Sequence, residues 1–341
     1  MIFGWLLSGC YVLSQSVTFL SDRASARQVE RVLEDRETPE SVRQMLELTY
    51  DIREFAQDSL GLETSKNYTK YVELERDHLA YIVYAADALS FNQHTWSFPI
   101  TGEIPYKGYF KLSDARELQQ KLDEQGFDTW VSVVDGFSSL GFFIDPLYSF
   151  MADYSAYRLS DLIIHEMVHA TVWVKNQSSF NEQLASFVGE EGAKQFITSI
   201  YGKDSAQYRD IEESEHDLQV FLELIRALRA ELEAVYKDPV LTDSRKLERK
   251  TRIIQAFRED FIRSYDSRFL TDRYRAVGEY TINNAYIAMY GVYYPESDIL
   301  ERLYARYDHS ITEMVKALAD LDGTREDPYS YIDRLMISGE S

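Results

Sequence analysis

Apolar positions along the chain recur mostly at helical spacing. Val42, Met45, Leu46, Thr49, Ile52 and Phe55 form one stripe, and Thr38-Pro39-Glu40 marks its start with a proline at the first helical position. Residues 24 to 60 therefore read as two helices. Ala80-Tyr-Ile-Val-Tyr-Ala85 is instead a β-rich run. Between Trp96 and Phe110, Pro99, Gly102, Pro105 and Gly108 divide the chain into short strands and turns. A helix capped by Ser113 runs through Leu122 and stops at Gly126, and Trp130-Val-Ser-Val-Val134 follows as a strand. Further on, Leu218, Phe221, Ile225, Leu228, Leu232 and Val235 alternate steps of three and four. Lys237-Asp-Pro239 interrupts that helix, and Leu247, Ile254, Phe257, Phe261 and Tyr265 mark a second stripe. The pair predicts a long antiparallel helical hairpin whose charges form a solvated face. The predicted class is α+β, mostly helical.

One helical stretch carries chemistry. Leu162, Ile163, Ile164, Met167, Val168, Val172 and Trp173 surround His165, Glu166 and His169 with apolar surface. Three polar groups in so apolar a helix are costly unless a metal or an ion pair satisfies them. H-E-x-x-H sets both imidazoles on one helical face, where they can bind one Zn²⁺, and the glutamate between them can act as general base on a zinc-bound water. A catalytic zinc site takes a third protein ligand. The extended motif does not supply it, because Val172 and Lys175 stand where its glycine and last histidine belong. Downstream, Asn181 reads as the N-cap of a second buried helix containing Ala185, Phe187 and Val188. Lys175 to Ser179 is a short polar turn, so the two helices pack as antiparallel neighbours and Glu182 faces the histidines. Glu190 and Glu191, beside Gly189 and Gly192, are the alternatives and are expected nearer solvent. Asp161, one turn before His165, either orients that histidine or caps its helix. His216, between Glu215 and Asp217, reads as an exposed helical residue.

Composition narrows the reading. The 341 residues suit one large domain or two intimate ones, and 45% hydrophobic and 14% aromatic content supply an ample core. A formal charge of −21 argues against nucleic acid. The single cysteine, Cys10, excludes an internal disulfide. No run after the first residues is long and apolar enough to cross a bilayer.

H-E-x-x-H followed by a helix opening N-E-x-x-A resembles the pattern of the gluzincin metallopeptidases. More closely, the chain resembles the bacterial predicted aminopeptidase family of lipoproteins. The matching stretches are Gly9-Cys10, the W-x-F-P…P-Y-x-G-Y-F block from Trp96 to Phe110, Ser139 to Pro146, Leu162 to His169, Phe180-Asn181-Glu182 and Asn283-Asn284-Ala285. They appear in order and span most of the chain. The usual L-G-W-F reads Leu140-Gly141-Phe142-Phe143 here, and the match weakens after residue 205.

The resemblance implies a zincin-like fold, with a small sheet beside the H-E-x-x-H helix and a helical C-terminal part completing the site. It implies Zn²⁺ held by His165, His169 and Glu182, Glu166 as general base, and a peptide substrate laid along an edge strand near Tyr106, Lys107 and Tyr109. Such enzymes need an oxyanion donor. Tyr286, Tyr290, Tyr293 and Tyr294 follow the matching asparagines, and Tyr286 adjoins them most closely. Leu7-Ser8-Gly9-Cys10 matches a lipobox, implying a lipidated Cys10 and a membrane anchor. No Lys or Arg precedes the short apolar run from Met1 to Leu7, so a truncated leader is expected. Tyr11, instead of Asp, favours the periplasmic face of an outer membrane. The expected division is 1–10 signal segment, 11–75 N-terminal helices, 76–205 catalytic core and 206–341 helical C-terminal part. The function implied is zinc-dependent peptide hydrolysis of aminopeptidase type. A zinc endopeptidase, or an envelope lipoprotein using zinc for binding or structure, are the alternatives, since no G-x-M-x-N exopeptidase signature is present.

Overall fold

The computed structural model describes residues 24–63, 67–98, 102–134, 145–293, 298–321 and 326–337. Cys10 with its lipobox, Ser139 to Phe143, Tyr294 and the side chain of Tyr293 lie outside the described residues.

The chain begins with a two-residue strand β1 (Arg27–Gln28), a short helix α1 (Val29–Glu34) and a long helix α2 (Glu40–Asp58). Pro39 precedes α2 as its N-cap residue. Val42, Met45, Leu46, Thr49 and Ile52 of the stripe are buried, and Thr49 spends its hydroxyl on the Met45 carbonyl one turn back. A small sheet follows, in which β2 (Lys70–Val72) pairs antiparallel with β1 and parallel with β8 (Leu147–Tyr148).

The second sheet has β3 (Ala80–Asp87) at its centre, between β6 (Tyr106–Tyr109) and β7 (Phe127–Val134), all antiparallel. Side chains alternate between faces along a strand, so the continuous apolar run of β3 implies cover on both sides. Val83 and Ala85 pack with Tyr109, Ala115 and Leu122 under α3 (Leu112–Glu124). Ile82, Tyr84 and Ala86 pack with Ala285, Tyr106, Trp130 and Met289 under α8 (Asn284–Tyr293). Helix α3 starts at Leu112, with Lys111 rather than Ser113 at the cap position, and Gly126 (φ 87°) turns the chain into β7. The block from Trp96 to Phe110 yields β6 and a hairpin of β4 (Trp96–Phe98) with β5 (Gly102–Ile104).

Helices α4 (Ala156–Thr171) and α5 (Ser178–Tyr201) follow as tightly joined neighbours. They share the main apolar cluster with α2, β2 and β8. Also in that cluster are α9 (Ile299–Arg306), α10 (Ile311–Leu318) and α11 (Pro328–Ile337). The expected helical hairpin is present as α6 (Ala206–Lys237) and α7 (Asp243–Arg268). Phe221, Ile225, Leu228 and Leu232 of its first stripe build a second cluster with Phe261, Tyr265, Tyr286 and Ile287. Leu247 of the second stripe is exposed instead. No helix among the described residues is long and apolar enough to cross a membrane.

Candidate metal centre

Ser155 caps α4, its hydroxyl accepting from the Arg158 N–H. Nearly three turns on, the helix delivers His165 and Glu166, and one turn later His169. The turn to α5 reverses at Asn176 (φ 63°) and is clamped by Asn181. Asn181 lies inside α5, fully buried, where its side chain accepts from the Val174 N–H at 2.9 Å and donates to the Val174 carbonyl at 2.8 Å. It is a clamp, not the N-cap expected from its position before Glu182, because α5 starts three residues earlier at Ser178.

The two helices approach closely because α5 carries glycine where they cross. A Cβ at Gly189 would lie 2.7 Å from the Asp161 carboxyl and 3.2 Å from the His165 Cβ. The approach brings Glu182 to both histidines. Its Oε2 lies 3.6 Å from His165 Nε2 and 3.8 Å from His169 Nε2. The candidate ligand atoms of His165, His169 and Glu182 all lie within 4.8 Å of one another. Glu190 and Glu191 stay half-buried, outside that group.

The donor set fits a divalent cation. Two imidazoles and a carboxylate converge in a buried site, and among the described residues no Lys or Arg pairs with Glu182 or Glu166. Buried Oε2 of Glu166 and Nδ1 of His169 have no partner among the described residues. Orphaned buried polar atoms are rare in a finished structure and point to a missing ion or water. Burial pushes the Glu166 carboxyl up to about 8, with the Glu182 and Asp145 charges adding to the rise and His165 opposing it. Burial would raise Glu182 too, but His169 and His165 outweigh it and hold that carboxyl well below the usual range. Two carboxylates on facing helices are thus driven in opposite directions.

A model of the family described as "Putative aminopeptidase" matches residues 11–328. The chain belongs to that family. No curated protein and no solved structure matches it.

In this aminopeptidase-family chain the remaining predicted residues divide. Asp161 sits in the second turn of α4, so it does not cap the helix. It borders His165 at the Gly189 crossing, and burial raises its carboxyl to about 6 against the pull of His165. Of Tyr106, Lys107 and Tyr109, Tyr106 reaches the metal group: its hydroxyl donates to Glu182 Oε1 at 3.2 Å. Tyr109 packs on the opposite face of the sheet, beneath α3. Tyr286 belongs to the second apolar cluster, 1% exposed, against Trp130 and with its hydroxyl 3.4 Å from that of Tyr290. His216 is exposed as expected, facing the Arg268 carbonyl.

Two contacts around Glu182 have no signal in the sequence. The Tyr106–Glu182 bond joins residues on separate elements, and no periodicity signals it. Tyr329 of α11 donates to Gln183 at 2.6 Å and packs edge-on against Phe180, steadying the turn of α5 that carries Glu182. The stretch before α11 offered no motif to mark it.

Proposed function

We propose that the chain hydrolyses peptide bonds as an aminopeptidase-like metallopeptidase of gluzincin type, with Zn²⁺ held by His165, His169 and Glu182. The observation that carries this reading is the convergence of those three side chains, from two adjoining helices, beside Glu166, whose buried Oε2 has no partner among the described residues. Such an ion supplies Lewis acidity, polarising a carbonyl and acidifying water, and its charge draws the Glu166 carboxyl down from about 8. Glu166 then takes a proton from the attacking water and passes it to the leaving amine. Tyr286 has a packing role in this reading, since its hydroxyl is turned to Tyr290.

The test is a mass-spectrometric digest of a defined peptide library by the full chain with zinc, alongside Glu166→Gln. Loss of single N-terminal residues by the wild type alone is expected, with turnover in the variant reduced by at least ~10²-fold. Internal cuts by the wild type alone would make it an endopeptidase. Equal cleavage by both would remove Glu166 from the reaction. No cleavage by zinc-loaded wild type would favour a binding role.

We also propose that Cys10 is lipidated and anchors the protein at the cell envelope, on the periplasmic face of an outer membrane. The lipobox spelling supports this. Labelling in the source cells with an azide-bearing fatty acid should tag the wild type but not Cys10→Ser. A label that survives the substitution would rule out this anchor.

A further inference from the structure

The Glu182 carboxylate is held at both ends. Oε2 faces the two imidazoles, at 3.6 Å and 3.8 Å. Oε1 accepts from the Tyr106 hydroxyl at 3.2 Å. A carboxylate can offer a cation one oxygen or both, and a free one exchanges between the two. A phenol donating to one oxygen removes a lone pair from that competition and fixes the rotation of the carboxylate plane.

Tyr106 is itself placed by backbone. It stands opposite Tyr84 in the β3–β6 register, and their rings meet edge-on with centroids 5.7 Å apart. Its hydroxyl thus extends from a paired strand, not from a mobile loop, and the bond joins the second sheet to the first turns of α5. Pro105 before it is buried and Tyr109 after it is locked beneath α3, so β6 has little freedom to slide.

We propose that Tyr106 is a positioning residue for Glu182: its hydroxyl holds Oε1 back, so that Oε2 alone is presented to the cation and the carboxylate binds through one oxygen. Resting on the metal-site reading above, this assigns to the sheet the task of setting the coordination number. Partners of this kind are worth ~10–100-fold in metal affinity when removed.

The experiment measures zinc affinity by competition with a chromogenic chelator, and the visible spectrum of the Co²⁺-substituted protein. Wild type, Tyr106→Phe and His165→Ala are compared. Tyr106→Phe keeps the ring against Tyr84 and loses only the donor. Expected is a ~10–100-fold loss of zinc affinity, with a weaker Co²⁺ absorption band as the second carboxylate oxygen enters and the coordination number rises. Tyr106→Phe with wild-type affinity and spectrum overturns the proposal while leaving the metal site standing. Loss of turnover with affinity and spectrum unchanged also overturns it, because the hydroxyl then acts on substrate. Wild type binding zinc no more tightly than His165→Ala would remove the site itself, and the proposal with it. Should the Phe variant lose its far-ultraviolet circular dichroism, 3-fluorotyrosine at position 106 takes its place. It is near-isosteric and a stronger donor, and an unchanged affinity there overturns the proposal.

Discussion

Glu166 and Glu182 are the same side chain in one buried site, and their surroundings separate them. Glu182 has two imidazoles against it, and Glu166 has mainly desolvation. The difference is measurable in metal-free protein. The Glu166 value of about 8 stands above the ordinary 4.5. Between those values the folded chain holds a proton that the unfolded chain has released, so stability falls as pH rises. Glu182 works the other way, contributing stability above the ordinary carboxylate range and losing it as pH falls. Glu166→Gln removes only the first effect. In chelator, the variant should gain on the wild type by a few kcal/mol between about pH 5 and about pH 8. Urea denaturation at several pH values reads the difference directly. Parallel curves for the two proteins would show that Glu166 is ionised in the fold and that its burial is compensated by some other group.

At the scale of elements, what could be read in advance was whatever repeats along one helix or strand. The H-E-x-x-H helix, the β3 run, the α6–α7 hairpin and the tight junction that faces Glu182 to the histidines all follow from spacing and turn length. Caps were read less well. Asn181 and Ser113 have side chains suited to a cap, but α5 and α3 begin earlier, and the Asn181 side chain is committed to Val174 across the turn. A local propensity gave way there to a tertiary hydrogen bond. Asn283 and Asn284 adjoin Tyr286, and their side chains serve the backbone: Asn283 caps α8, accepting from the Tyr286 N–H, while Asn284 bonds the loop after β3. Contacts between distant elements, such as Tyr106 with Glu182 and Tyr329 with Gln183, leave no trace in periodicity. They are consequences of the packed fold.

Across the whole molecule, a buried polar network ties the helical hairpin to the sheet that carries Tyr106. Lys250 of α7, 7% exposed, bonds the Asp128 carboxylate of β7 and donates to the Ala88 carbonyl at 2.9 Å. The same Asp128 oxygen accepts from the Asn284 N–H at the start of α8. Asn284 reaches back to the carbonyls of Asp87, Ala88 and Ser90, and accepts from the Tyr236 hydroxyl of α6. Two helices of the hairpin, α8 and the ends of β3 and β7 thus meet in one set of bonds. A buried ion pair adds little net stability when its desolvation is counted, but removing one partner strands the other. Lys250→Met should therefore destabilise the protein by about 3–5 kcal/mol. Adding Asp128→Asn removes the stranded charge while the amide oxygen can still accept from Asn284, so the double variant should recover much of that loss. Urea denaturation of the two variants and the wild type decides it. If Lys250→Met alone stays within the uncertainty of the wild type, the network is not what joins the hairpin to the sheet, and the apolar contacts of the second cluster must hold them together unaided.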